Sequence, residues 1–156
     1  MIKGYLTDKA LATTIDCQQI FGGHGFIEEW GMSQFVRDTR ITLIYEGANG
    51  IQALDLVGRK LAKNGGRALM TLNAEMDDFL SENSENETLS EFMEGLKKAK
   101  DSLSNATMWL MQNGMQNPDN AGSGSVDYMH MMGLTTLAYM WAKMAVVAQS
   151  KIDGGS

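Results

Sequence analysis

The segment RITLIYEGANG, residues 40–50, contains the side chain best suited to chemistry. Glu46 stands where an apolar run ends and small residues begin, with Tyr45 before it and Gly47 after it. Beside Ile44 and Tyr45 this carboxylate is expected to be partly removed from water, which makes a carboxylate a stronger base once ionised. The small residues that follow let a ligand approach the backbone closely. An ordinary acid ahead of a helix start, stabilised by the helix macrodipole, explains the same position. From local chemistry alone, this second interpretation is favoured.

Two further clusters of polar or glycine residues are weaker candidates. The segment FGGHGF, residues 21–26, lacks the preceding strand and the Lys-Ser/Thr pair of a phosphate-binding loop, which favours a turn that ends a helix. Within it, His24 has no second ligand at metal-binding spacing, so no metal site is predicted. The charged cluster of Arg37, Asp38 and Arg40 is interpreted first as a surface or intersubunit ion-pair network.

Helical periodicity predicts the elements that must position these residues. Predicted helices cover residues 2–21, 33–44, 50–63, 67–80, 88 or 90 to about 115, and 125–152. Ser33 is predicted to cap the second helix, and the polar segments SENSENETLS and QNPDNAGSGS are predicted to be linkers. No strand-like alternation persists, so the fold class is predicted to be all-α.

Composition agrees with a helical protein that does not bind nucleic acid. The 156 residues are 44% hydrophobic and include one proline and 13 methionines, which favours long helices. The net charge of −6 argues against neutralising phosphate groups. The single cysteine, Cys17, allows no internal disulfide, so a reducing intracellular compartment is expected, with the thiol buried and inert.

One apolar segment, residues 129–148, is almost long enough to span a membrane. It contains His130, Thr135, Thr136 and Lys143 and has no flanking basic clusters, which favours a buried bundle helix over an integral membrane segment. The chain begins inside a helical pattern and ends at KIDGGS without a closing element. It is therefore expected to be a piece of a longer protein.

Taken together, the segment QQIFGGHGF…EEWGMSQFVRDTRITLIYEGANGIQ, residues 18–52, closely resembles the C-terminal helical domain of acyl-CoA dehydrogenases. The order, spacing and residue types all match that family's pattern. The following GIQALDLVGRKL and the long helical tail resemble the subgroup with an extra C-terminal bundle. The resemblance implies an up-and-down helical bundle of this type over residues 1–64, in part, and an additional helical bundle over 65–156 that is truncated at its end.

The resemblance also implies roles for individual residues. Glu46 would be the general base that removes the proton α to a thioester carbonyl while a hydride passes from the β carbon to FAD, and Glu46 and Gly47 would bind substrate, the Glu46 N–H holding the thioester oxygen. The implied cofactor-binding residues are Gln19, Gly22 and Gly23, toward the FAD of a neighbouring subunit, and Ala48, Asn49 and Gly50, near the flavin diphosphate or adenine. The family usually has threonine at the position of Ala48, so one hydroxyl contact to the cofactor is absent here.

The implied partners are an acyl-CoA substrate, an electron-transfer flavoprotein and further copies in a homo-oligomer, in the cytoplasm or, in a eukaryote, the mitochondrial matrix. The family's amino-terminal and middle domains carry most flavin and acyl-CoA contacts and are not part of this sequence. The chain alone is therefore expected neither to hold FAD nor to turn over substrate. The alternative is a non-catalytic helical oligomerisation or interaction module on the same scaffold.

Overall fold

The computed structural model describes residues 1–114 and 116–155. Within these ranges the chain forms α-helices joined by short turns and contains no β-strand. The α-helices are α1 Ile2–Ile20, α2 Gly23–Phe26, α3 Met32–Ile41, α4 Asn49–Asp55, α5 Arg67–Glu82, α6 Ser90–Asn113 and α7 Pro118–Asp153. The all-α prediction is confirmed.

The glycine-rich segment after α1 forms the predicted turn. Gly22 has φ of 59°, which ends the helix in a left-handed region that favours glycine. The side-chain amide of Gln18 donates to the carbonyl oxygen of Gly25 at 3.0 Å. A Cβ on the buried Gly25 would run into the Gln18 carbonyl, so the chain needs glycine there to fold back on α1. The return path places α3 against α1.

The second predicted helix is shorter than expected and is not capped by Ser33. Helix α3 begins after Gly31, which is in the left-handed conformation, so Ser33 lies inside the first turn and its hydroxyl is buried without a hydrogen-bond partner among the described residues. The helix ends at Ile41 rather than Ile44. Thr42 donates its hydroxyl to the Thr39 carbonyl at 2.6 Å. Side-chain bonds of this kind, with β-branched residues, compete with a regular helix.

The third predicted helix, residues 50–63, is divided in two. Helix α4 ends at Asp55 and continues as a π-helical turn, Leu56–Lys60. A 3₁₀ turn, Lys63–Gly66, follows, in which Asn64 and Gly65 have positive φ. This left-handed pair stops the helix at the predicted break.

The last three helices form the second half of the chain. Helices α5 and α6 end within about two residues of the predicted positions, although the predicted end of α6 at Met115 lies outside the described residues. Helix α7 begins at Pro118, seven residues before the predicted start, so part of the predicted linker is helical. Asn117 caps the helix by accepting a hydrogen bond from the Asp119 N–H at 3.0 Å. Proline at the first helical position and an acid in the first turn also favour this start.

Two groups of buried side chains hold these helices together. The first joins α4 and the π-helical turn to α5, α6 and α7, and its members are Ala53, Leu56, Leu61, Leu69, Leu103, Leu110, Tyr128, Met129 and Met132. The second joins the far halves of α5, α6 and α7 and includes Met76, Leu96 and Tyr139. The first group takes residues from both sides of the domain boundary predicted at 64/65, which stays a prediction.

Helix α7 is long and apolar enough to cross a membrane by length and composition alone. Within its most apolar window, 28% of the residues are buried in this structure. Met129 and Ala142 are fully buried against neighbouring helices. A core helix of a soluble bundle meets the same length and composition test, so this test is weak evidence for a membrane span.

Candidate functional site

The turn between α3 and α4 has an unusual backbone at Glu46. Both Glu46 and Gly47 have positive φ, 54° and 87°, and Ala48 then returns to an extended conformation before α4 begins. Positive φ is uncommon for a residue with a side chain, and it costs about 1 kcal/mol or more. The sequence therefore keeps a strained glutamate at a position where glycine would be easier, and the reversal places its carboxylate at the surface.

The desolvation predicted for Glu46 is not provided by this chain. The glutamate is exposed, and its neighbours Ile44 and Tyr45 are themselves 51% and 49% exposed. Local apolar residues shield a carboxylate only when they are packed over it. Any removal of Glu46 from water must therefore come from atoms outside the described chain.

Two side chains hold the turn that carries Glu46. Lys3, in the first turn of α1, donates to the carbonyl oxygen of Gly47 at 2.8 Å, and its ammonium lies 5.9 Å from the centre of the Tyr45 ring. Gln52 donates to the carbonyl oxygen of Glu46 at 2.8 Å. Within residues 1–114 and 116–155, nothing accepts a hydrogen bond from the Glu46 N–H. Side chains of the same chain therefore hold the carbonyl oxygens of Glu46 and Gly47, while the Glu46 N–H stays available for another acceptor.

Asn49, predicted to contact a cofactor, uses its side chain inside the chain. Its amide donates toward three acceptors on α1: the Gly4 carbonyl at 3.0 Å, the Thr7 hydroxyl at 2.9 Å and the Asp8 carboxylate at 2.7 Å. Its carbonyl oxygen accepts from Lys3 at 2.8 Å. An amide has two donor hydrogens and one acceptor oxygen, so this side chain is occupied. Only its backbone could meet a ligand.

The remaining predicted site residues fall into two places. Ala48 and Gly50 are exposed beside Glu46 at the start of α4. Gln19, Gly22 and Gly23 are also exposed, but they lie at the opposite end of α1. With a rise of 1.5 Å per residue, Gln19 is about 24 Å along the helix from Lys3. One chain therefore does not bring its two sets of predicted residues together.

The other candidates have structural contacts. His24 packs edge-on against Trp30, with ring centres 4.6 Å apart. Arg37 pairs with Glu28 at 3.4 Å on the surface, and Asp38 accepts a hydrogen bond from Gln34, so the ion-pair network predicted for the charged cluster stays a prediction. Cys17 is half-buried. Among the residues that the structure describes, no group of three or more His, Cys, Asp or Glu side chains could hold a metal ion.

Sequence reasoning missed the polar residues that support the Glu46 turn. Lys3, Asp8 and Gln52 are single polar residues in helical segments, and His130 is 122 residues away from its partner Asp8. The spacing of Lys3 and Thr7 by four residues places them on one face of α1, which is a weak signal for a shared partner. Nothing local in the sequence indicates that this partner is Asn49.

A separate apolar cavity of about 600 Å³ opens where α4, α6 and α7 meet. Its lining includes the apolar side chains of Leu54, Val57 and Leu110. Gly58 and Gly122 also line it and, having no side chain, leave room for the cavity. None of the predicted site residues lines it. The cavity is therefore distinct from the Glu46 turn.

Comparisons with known proteins assign both halves of the chain. Residues 1–61 match the family described as acyl-CoA dehydrogenase, C-terminal domain, and residues 72–156 match the family described as acetyl-CoA dehydrogenase C-terminal like. The second match covers more than half of the chain.

Individual relatives agree with this assignment. A 3-methylmercaptopropionyl-CoA dehydrogenase of Ruegeria pomeroyi is 32% identical over 99% of the chain and 26% of its own length. A broad-specificity linear acyl-CoA dehydrogenase, FadE5, of Mycobacterium tuberculosis is 28% identical over 100% of the chain and 26% of its own length. A butyryl-CoA dehydrogenase of Syntrophomonas wolfei is 34% identical over 59% of the chain and 15% of its own length. The chain thus spans about a quarter of the length of the first two relatives, and with its helical C-terminal fold it belongs to the acyl-CoA dehydrogenase family.

Proposed function

We propose that the chain forms the C-terminal part of an FAD-dependent acyl-CoA dehydrogenase in which Glu46 is the general base. The observation that supports this most is the strained turn at Glu46: its carboxylate is exposed, its own N–H is free among the described residues, and Lys3 and Gln52 fix its backbone. Strain of this kind is typical of functional sites. Glu46 therefore offers two groups to a bound substrate: a carboxylate that can accept a proton and an N–H that can donate a hydrogen bond.

In the proposed reaction, the Glu46 carboxylate accepts the proton from the carbon α to the thioester carbonyl. The Glu46 N–H donates a hydrogen bond to the thioester oxygen, where negative charge develops as the proton leaves. The bound FAD would supply the acceptor for the hydride from the β carbon. The electron pair of the broken α C–H bond forms the α,β double bond, while the pair of the β C–H bond leaves with the hydride. An electron-transfer flavoprotein is the proposed acceptor of these electrons from the reduced flavin.

The exposed backbone at both ends of α1 fits a cofactor site shared between subunits. Gln19, Gly22 and Gly23 are exposed, and a Cβ at either glycine would meet no atom within 4 Å. Gln19 lies about 24 Å along α1 from Lys3, which holds the Glu46 turn. The two ends would therefore serve two different FAD molecules in a homo-oligomer, with Ala48 and the backbone at Asn49 and Gly50 facing one of them.

The test uses the full-length polypeptide that contains this chain, compared with its Glu46→Gln variant. We expect the variant to keep its yellow flavin and its fold while the rate of flavin reduction by acyl-CoA falls by at least about a hundredfold, the usual contribution of a general base. The matched control is Glu94→Gln, which changes an exposed acid on α6 and should leave the rate unchanged. Full activity in the Glu46→Gln variant would refute the base assignment. The 156-residue chain alone should show no activity.

A second candidate function is a non-catalytic oligomerisation module. Large apolar side chains are strongly exposed around the α1–α3 turn, including Ile20 at 83%, Phe26 at 81% and Phe35 at 63%. Surfaces of this kind mark contacts with other protein. Size-exclusion chromatography of the chain alone tests this idea, which a tight oligomer without flavin favours. Coexpression with the missing domains tests the enzyme, which is favoured if the assembled protein gains flavin.

A further inference from the structure

Helices α1 and α7 cross closely, since each has a glycine at the contact. A Cβ on Gly133 would run into the ring of Tyr5, and a Cβ on Gly4 would run into the side chain of Met129. Tyr5 and Met129 are buried, at 2% and 0% exposure. This approach brings α7 alongside the face of α1 that holds the Glu46 turn.

At this crossing, His130 of α7 reaches Asp8 of α1. The Nε2 atom of His130 lies 3.1 Å from one carboxylate oxygen of Asp8, and both side chains are about one-third exposed. The Tyr5 ring packs edge-on against the imidazole at 5.3 Å between ring centres, which fixes the plane of the histidine. The orientation of the Asp8 carboxylate is therefore set from α7.

The other carboxylate oxygen of Asp8 connects α1 to the Glu46 turn through Asn49. It accepts a hydrogen bond from the Asn49 amide at 2.7 Å. The carbonyl oxygen of the same amide accepts from Lys3 at 2.8 Å, and Lys3 also donates to the Gly47 carbonyl at 2.8 Å. A continuous series of polar contacts thus runs from His130 through Asp8, Asn49 and Lys3 to the residue next to Glu46.

We propose that His130 is a positioning residue for the Glu46 turn, so that α7 orients the general base through Asp8 and Asn49. The catalytic consequence rests on the function proposed above, whereas the structural coupling does not. Each member uses its hydrogen-bonding groups on the next, so the loss of the His130 contact frees Asp8 to turn away from Asn49. The second family-matched segment then supports the site contained in the first, although the two are far apart in sequence.

The coupling is tested by hydrogen–deuterium exchange on the 156-residue chain. His130→Phe keeps the edge-on packing with Tyr5 but cannot bond to Asp8, and His130→Gln keeps a donor near the position of Nε2. We expect the hydrogen-bonded amides of Tyr45, Ile51 and Gln52 to exchange about five-fold faster in His130→Phe, as loss of one hydrogen bond implies, and at nearly the original rate in His130→Gln. The matched control is His24→Phe, whose histidine packs on Trp30 instead and should not affect these amides.

The pattern across the chain separates positioning from general destabilisation. Faster exchange confined to the amides of Tyr45, Ile51 and Gln52, with α6 still protected, supports the proposal. Equal acceleration in every segment, or no change at these three amides in His130→Phe, overturns it.

A second measurement uses the full-length holoenzyme. His130→Phe should lower the rate of flavin reduction by acyl-CoA about five-fold while KM and flavin content stay near their original values, and His130→Gln should restore the rate. Equal rates in the original protein and His130→Phe, or a Gln variant no better than Phe, overturn the positioning role. If Glu46→Gln has no effect, the proposed function fails, while the exchange result still decides the coupling.

Discussion

The ammonium group of Lys3 lies 2.8 Å from the carbonyl oxygen of Gly47 and 2.8 Å from the side-chain oxygen of Asn49. The first turn of α1 thereby holds the turn that contains Glu46, across 44 residues of sequence. The contact is half-buried, so water competes for it less than at an open surface.

Lys3→Met should lower the free energy of unfolding by about 1 kcal/mol because it removes two charge-assisted hydrogen bonds and leaves their acceptors without this donor. Urea unfolding of the chain, followed by circular dichroism at 222 nm, measures this change. Lys98→Met removes an exposed lysine from α6 and should change the unfolding midpoint little. Equal midpoints for the two variants would show that Lys3 contributes no more than a surface lysine.

Two glycines in α7 should respond in opposite ways to alanine. Gly133→Ala places a Cβ against the buried Tyr5 ring and should destabilise the chain by about 1–3 kcal/mol. Gly124→Ala adds a Cβ in open space within the same helix and should stabilise it by about 0.5–1 kcal/mol, because alanine is the better helix former. Thermal unfolding of both variants measures the difference. A stabilised Gly133→Ala variant would contradict the close crossing of α1 and α7.

Asn117→Ala should remove the side-chain cap of α7 and destabilise the chain by about 1 kcal/mol. Loss of the cap should also fray the first turn, so amides near Asp119 should exchange faster. The exposed Gln116, one residue earlier, provides the control as Gln116→Ala. If both variants have the same stability and exchange, the cap does not determine the start of α7.

Stability in acid should depend on Asp55. Hydrogen bonds from Arg59 and Lys60 hold the pKa of its carboxyl well below its usual range. Because the folded pKa is depressed, this contribution is fully present above the unfolded value of about 4 and is lost as the pH falls through the lower folded value. Asp55→Asn should therefore flatten the decline of the urea midpoint below about pH 4. An unchanged decline would place the acid sensitivity elsewhere.

Much of the fold follows from local patterns in the sequence. The apolar spacing in α1, α5 and α6 predicts these helices nearly to their ends, and the glycine pairs after α1 and before α5 predict the breaks. The start of α7 was missed because Gly122 and Gly124 suggested a linker. The Asn117–Pro118–Asp119 cap, together with packing of Ala121 against the core, makes that segment helical instead.

The site was predictable in part. Glu46 was found because an acid between apolar and small residues is a local feature. The contacts that hold its turn were not, because Lys3, Asp8 and His130 meet Asn49 or one another only after the helices pack. Ile44 and Tyr45 do not shield Glu46 from water for a related reason: these neighbours in sequence are themselves exposed.

Helix α1 has a glycine-rich turn at one end and the anchor of the Glu46 turn at the other, with no break between them. Deleting a single residue from the middle of α1 would shorten the helix by about 1.5 Å and rotate one end relative to the other by about 100° around the helix axis. We therefore expect natural sequence variation within α1 to occur by substitution. An insertion or deletion would misalign the glycine-rich turn and the anchor of the Glu46 turn, even if the residues at each end were unchanged.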